Sequence, residues 1–181
     1  MNPAFNEVRR NDLPALAALH VRAWNETYPH VKNPPTYELR ERQWRDQFAV
    51  TDGSWFCFVV ENSKGELVGF AKGKDYCESE LPEFSGELNK IYLLREHQRK
   101  GLGRKLMGYV VHRFLAQGIS TMVLFAEPQN PSCRFFEALS GERLLGANGQ
   151  FHGGYGWRDL RKLATLCPSD ERAQFQRVHK R

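Results

Sequence analysis

The residues with the plainest chemical capacity are Gln98-Arg99-Lys100-Gly101-Leu102-Gly103. Two glycines there open a segment of helical periodicity, so a ligand can come close to the backbone. The unpaired N–H groups and the dipole of a helix start favour an anion, and a phosphate or pyrophosphate is the natural guest. Six basic residues cluster at positions 90–105, namely Lys90, Arg95, Arg99, Lys100, Arg104 and Lys105, against the single acid Glu96. The whole chain of 181 residues has 26 Lys+Arg and 21 Asp+Glu, a formal charge of +5, so this stretch holds the entire excess. A nucleic-acid coat would spread its charge over a face, whereas this concentration predicts one compact anionic ligand and no nucleic-acid partner. A turn that merely reverses the chain is the plainer alternative. Two familiar phosphate loops do not fit. Walker A needs Ser or Thr after Gly-Lys, but Gly103 is followed by Arg104, and the dinucleotide fingerprint needs a third glycine where Leu106 stands.

The elements that must hold this turn can be read from periodicity. Positions 5–9 form a first strand and Asp12 caps a helix carrying Leu13, Leu16, Ala17, His20 and Trp24, which ends near Tyr28. After the extended segment around Pro34-Pro35, a second helix covers 37–48. Strands at 55–61 and 67–74 flank Asn62-Ser63-Lys64-Gly65 as a hairpin, and a strand at 86–94 precedes the glycine turn. The helix at 101–117 presents two adjoining apolar rows, Leu102, Leu106, Val110, Phe114 and Met107, Val111, Leu115, a face wide enough to lie on a sheet. A buried strand at 121–126, a helix from the cap Asn130-Pro131 to about Gly141, and strands at 142–146 and 156–163 complete the pattern. One domain over 1–167 is expected, with a polar, charged tail at 168–181.

Composition narrows the class further. At 41% hydrophobic and 12% aromatic, the chain has the makings of a real core. Cys57, Cys77, Cys133 and Cys167 lack C-x-x-C spacing, which favours reduced thiols. The apolar run 55–60 is too short to span a membrane, and Met-Asn-Pro-Ala-Phe lacks the pattern of a signal peptide. A cytoplasmic protein with no membrane partner is expected. The histidines show no metal-ligand spacing, so no metal is expected.

The glycine turn resembles the Q/R-x-x-G-x-G/A signature of the GNAT superfamily of N-acetyltransferases, which bind acetyl-coenzyme A. The resemblance extends to Leu88-Asn89-Lys90-Ile91-Tyr92-Leu93 before the signature, to Asn130-Pro131-Ser132-Cys133-Arg134-Phe135-Phe136-Glu137 after it, and to Tyr155-Gly156-Trp157-Arg158-Asp159-Leu160. It implies an α/β fold of the α+β mixed kind: a mostly antiparallel twisted sheet of six to seven strands with about four helices and a V-shaped splay between two central strands. Acetyl-CoA would lie in that splay. Backbone groups of Ile91 and Leu93 would pair with the pantetheine arm, and the Leu93 N–H would polarise the thioester carbonyl. The pyrophosphate would rest on the turn formed by Gln98, Arg99, Lys100, Gly101, Leu102, Gly103 and Arg104, aided by Arg134, while Asn130 would meet pantetheine.

The resemblance also implies a catalytic glutamate at Glu87, as base toward the acceptor ammonium; an exposed strand acid paired with Lys90 or Arg95 is the alternative. Phe136 occupies a cofactor-facing place where many members carry a tyrosine that protonates the departing thiolate. Arg99 stands where glycine is common, and Arg95 where proline is common. Trp24, Tyr28 and Tyr37, with His152 and Tyr155 from the glycine-rich stretch 150–156, are the candidates for the acceptor side. The expected activity is acetyl transfer from acetyl-CoA to the primary amine of a small molecule, or of a peptide or protein, by direct attack in a ternary complex. A non-catalytic acyl-CoA sensor is the alternative. The chain would act as a monomer or homodimer, and balanced charge outside 90–105 leaves the acceptor's own charge open.

Overall fold

The computed structural model describes residues 3–167 and Ser169, so the expected tail lies almost wholly outside the described residues. In chain order the elements are β1 (Ala4–Glu7), α1 (Leu13–Thr27), α2 (Tyr37–Ala49), β2 (Trp55–Glu61), β3 (Leu67–Asp75) and β4 (Gly86–Leu93). They continue with α3 (Leu102–Ala116), β5 (Met122–Phe125), α4 (Cys133–Ala138), β6 (Glu142–Leu145), β7 (Phe151–Trp157) and α5 (Leu160–Leu166). The seven strands form one sheet in the order β1-β2-β3-β4-β5-β7-β6, and β4–β5 is its parallel pair. The mixed, mostly antiparallel sheet expected from the sequence is therefore present.

Alternation explains the layers. On β2, Phe56 and Phe58 turn to α3, where they meet Phe114 and Tyr109 at ring separations of 5.0 and 5.3 Å. Leu106, Met107, Val110, Val111 and Phe114 of α3 are fully buried on that side. On the opposite side Phe70 of β3 meets His20 of α1 and Trp44 of α2, at 5.1 and 5.5 Å. Burying five such α3 side chains contributes on the order of 10 kcal/mol before entropy is charged against it. The β2–β3 hairpin is fixed by Asn62, whose Oδ1 accepts from the N–H groups of Lys64 and Glu66 at 2.9 and 3.0 Å.

Several expectations change in detail. The last strand is β7 at Phe151–Trp157, not 156–163, and the chain from Leu160 is helical instead. Asp159 starts that helix by accepting from the Arg161 N–H at 3.0 Å. Gly153 and Gly156 make space in the buried strand β7: a Cβ on Gly153 would stand 1.7 Å from the Ala126 carbonyl oxygen, and one on Gly156 would strike the Phe84 ring. Helix α4 begins at Cys133 and ends at Ala138, shorter than expected at both ends. Ser132, not Asn130, stands at the start of α4; Asn130 closes the turn before it, its Oδ1 accepting from the Ser132 N–H at 2.8 Å. With α5 added, the helices number five among the described residues, not about four.

Candidate functional site

Strands β4 and β5 are registered over only two pairs, Gly86↔Met122 and Glu87↔Val123. Beyond them β4 stays with β3 while Leu124 and Phe125 of β5 stay with β7, and a wedge-shaped gap opens. A bulge contributes to the divergence. Lys72 and Gly73 of β3 face Lys90 and Leu88 of β4, which leaves Asn89 as the extra residue. The Leu94 N–H donates to the Val68 carbonyl at 2.9 Å, toward β3. Backbone direction alternates along a strand, so the N–H groups of Leu93 and Ile91 turn the other way, into the gap. The Leu93 carbonyl there accepts from Gln98 Nε2 at 2.9 Å. Leu124, Asn130 and Phe136 line the opposite wall.

At the wide end of the gap the chain enters the glycine turn. Gly101 has φ 80° and Arg99 has φ 61°, both left-handed, which curls successive backbone N–H groups toward one point ahead of α3. Among the described residues, no side chain caps α3, which leaves its first-turn N–H groups to a ligand. Leu102 is buried and offers only its backbone, whereas a Cβ on Gly103 would rest at an ordinary 3.6 Å from the Phe135 ring. Of the six clustered cations, Arg99, Lys100 and Arg104 are exposed at this turn. Arg95 is engaged elsewhere, donating to the Glu26 carbonyl at 2.6 Å, and Lys105 lies over the Phe5 ring. Arg134 is on the exposed side of α4, where its charge is felt by Glu137. An extended arm ending in a pyrophosphate fits this combination of strand-like gap and N–H nest.

The α1/α2 side of the gap has a different character. Glu87 is buried; its Oε2 pairs with Lys74 at 2.9 Å and its Oε1 accepts from Asn89 Nδ2 at 2.6 Å. Asn89 Oδ1 in turn accepts from Lys90 Nζ at 3.0 Å. Asn89 and Lys90 line the gap, so Glu87 sits one residue behind its wall. Tyr28 closes the mouth: its hydroxyl accepts from Asn130 Nδ2 at 2.8 Å, and burial raises its pKa above the usual phenol value. Trp24, half-buried, leans on Tyr28 at 5.1 Å. His20 accepts from Trp44 Nε1 at 3.2 Å and, with its pKa pushed down to about 2 chiefly by burial, stays neutral.

Three candidates do not come to the gap. Tyr37 lines a separate outer groove with Arg22, Asn25 and Arg95, because it opens α2 on the far side of α1. His152 is exposed and bonds to Asn148 at 3.1 Å. Tyr155 is completely buried on β7, and its hydroxyl donates to Glu137 at 2.9 Å. Phe136 does line the gap, but with a buried ring and no hydroxyl. Conversely, Arg40, Lys72 and Asn89 belong to this region and were not singled out. The one sequence sign was the alternation of Phe70, Lys72 and Lys74 along β3, which puts two lysines on a mostly covered face.

Known proteins match this architecture and this order of elements. A family model described as the acetyltransferase (GNAT) family matches residues 15–141. An uncharacterized N-acetyltransferase YuaI of Bacillus subtilis is 34% identical over 171 residues, covering 88% of this chain and 95% of that protein. An L-methionine sulfoximine/L-methionine sulfone acetyltransferase of Pseudomonas aeruginosa is 27% identical over 170 residues, covering 88% and 92%. The crystal structure of the PaiA N-acetyltransferase of Thermoplasma acidophilum in complex with coenzyme A superposes with a TM-score of 0.65 at 18% identity, over 86% of this chain and 98% of that one. Among the described residues, no helix is long and apolar enough to cross a membrane.

Proposed function

The chain belongs to the GNAT family of acetyltransferases, and from that premise we propose that it moves the acetyl group of acetyl-CoA onto the primary amine of a small molecule, by direct attack with both substrates bound. The observation that carries this reading is the gap between β4 and β5, with the Leu93 N–H turned into it and the Arg99–Gly101 nest at its end. A relative whose name specifies free amino-acid analogues favours a small acceptor over a protein amine.

The chain's residues divide the work by position. The turn from Gln98 to Arg104, with its exposed cations, holds the pyrophosphate, and the backbone of Ile91 and Leu93 pairs with the pantetheine arm. Asn130 has a second amide hydrogen to offer that arm, one being given to Tyr28. The Leu93 N–H meets the oxyanion that develops on the thioester oxygen, a contact worth about 3 kcal/mol elsewhere. A lysine-like amine is only about 0.04% neutral at pH 7, so its proton must be taken. Glu87 receives it through a water molecule, because Asn89 stands between the carboxylate and the gap. As the C–N bond forms and the C–S bond breaks, the sulfur takes a proton from Tyr28. That hydroxyl only accepts from Asn130, so its hydrogen is still available, and its raised pKa keeps it protonated.

No covalent acetyl-enzyme is invoked; Cys133 Sγ is held at 3.6 and 3.8 Å by the carbonyls of Glu127 and Pro128 and shares a hydrogen bond with the Tyr155 hydroxyl. The test is release of free coenzyme A thiol over a panel of amines, with wild type and Glu87→Gln; turnover with at least one amine and a loss of about 100-fold in the variant are expected. The missing hydroxyl at Phe136 favours a second reading, a non-catalytic acyl-CoA sensor. Tight acetyl-CoA binding with no thiol release from any amine would select it.

A further inference from the structure

The sheet face beneath α1 and α2 carries more positive charge than its carboxylates balance. Lys72 on β3 and Lys90 on β4 are direct cross-strand partners. Like charges placed opposite each other in a ladder are destabilising. Lys72 is accommodated: it is buried, lies 5.9 Å from the Trp44 and Trp55 ring centroids, and donates to Gln47 Oε1. Among the described residues, Lys90 Nζ donates to its neighbour Asn89 alone. Arg40 brings a third cation from α2; its Nη1 donates to Gln43 at 2.9 Å, and its buried Nε has no hydrogen-bond partner. Among the described residues, no carboxylate lies within ion-pair distance of Arg40, Lys72 or Lys90. Glu87, the nearest acid in the strand, is already matched to Lys74.

A cluster of this kind has a cost. Burial lowers the pKa of Lys90, with Arg40 as the next cause, and brings that of Lys72 to about 8, with Lys90 as the next cause. A fold that needed only packing here would put an apolar residue or a carboxylate among these groups. Lys90 also lines the gap and sits one amide away from the proposed proton acceptor Glu87. The cost is offset if a ligand supplies the missing negative charge.

We infer that Lys90 and Arg40 form an anion subsite for the acceptor, so that the amine acetylated here also carries a carboxylate, as an amino acid does. The inference rests on the acetyl-transfer reading for the identity of the ligand. Lys72 supports the subsite from behind and raises its potential. A polyamine or a protein lysine would bring a second cation, or no anion, to the same place, and is disfavoured.

The experiment pairs each of a set of L-amino acids with its methyl ester in the thiol-release assay. The free acid should exceed the ester in kcat/KM by about 10- to 100-fold, the range of a charge-assisted hydrogen bond, and Lys90→Met and Arg40→Met should each bring the ratio toward 1. Equal rates for acid and ester, or a ratio unchanged in both variants, overturns the subsite. A second arm needs no turnover: saturation-transfer NMR of the protein with N-acetyl-L-amino acids and their methyl esters. Contact seen for the acid and lost in Lys90→Met upholds the subsite even if no amine is acetylated, in which case the acetyl-transfer reading fails by itself. Equal contact for acid and ester removes the subsite whatever the assay shows. Urea melts guard against a folding artefact, because Lys90→Met removes a like-charge pair and should not lower stability.

Discussion

In the proposed reading, the two ends of the gap would recognise their guests in different ways. At the donor end, six neighbouring residues, Gln98 to Gly103, supply a nest of N–H groups, and the cations beside them are exposed and weakly organised. At the acceptor end the recognising groups come from α2, β3 and β4, residues 40, 72 and 90, and are buried or half-buried. Backbone recognition can be written in one short segment because the glycines and the helix start are local features. Side-chain recognition at a sheet face cannot, since strand register decides which residues meet. The donor end should thus tolerate changes of side chain, and the acceptor end should depend on each one.

The largest effect that would break this contrast is at the turn. Gly101→Asp puts a side chain at φ 80° and a negative charge where phosphates would sit, and acetyl-CoA affinity by calorimetry should fall by more than about 100-fold. Carboxylate contact at Lys90 should survive that change. Next comes Lys72, whose pKa of about 8 in the fold lies below its ordinary 10.5. Above pH 8 the unfolded chain binds more protons than the native one, so stability should rise with pH through the window from 8 to 10.5, by on the order of 3 kcal/mol from this group. In Lys72→Met, urea unfolding at the two ends of that window should lose this rise, and an unchanged slope would show that the lysine is not desolvated.

Tyr28→Phe should lower kcat by about 10- to 100-fold with little change in KM for acetyl-CoA. Adding Phe136→Tyr to that variant should recover part of the loss by returning a hydroxyl to the same gap. Asn130→Ala, which removes the partner but keeps the phenol, should be milder. The smallest effect belongs to Arg99→Gly. Relief of its left-handed φ should stabilise the fold by about 1 kcal/mol, while removal of one exposed cation raises KM for acetyl-CoA only a few-fold.

Much of this was legible in the residues themselves. The unbroken apolar run at 55–60 and the period of four at 102–115 placed β2 and α3 nearly to the residue. The glycine turn was legible for the same reason, and so was the resemblance that named the family. The stretch 150–156 was placed before the last strand instead of within it, because glycine marks a turn when it serves backbone freedom, and marks crowding when another chain segment occupies its missing side chain. Only the neighbours Ala126, Leu144 and Phe84 distinguish the two cases. The charge count misled in a subtler way. The formal excess of +5 sits in one stretch, yet in space Arg95 is drawn off by Glu26 and Lys90 turns toward α2. Outside the stretch the balance of the chain hid Lys72 and Arg40, whose acidic counterparts lie elsewhere.

A sheet whose central strands touch over two residue pairs is mechanically a pair of plates joined at a pivot. The second joint is α5, which leaves β7 on one plate and packs on α3, which lies on the other. Its Leu160 N–H donates to the Ser120 carbonyl at 2.9 Å, and Leu160, Leu163 and Cys167 are buried beneath it. A change in the width of the wedge would turn about Gly86 and Glu87 and would strain the α3–α5 contact. Leu163, buried in that contact and remote from the gap, would thereby bear on how the two plates are held apart.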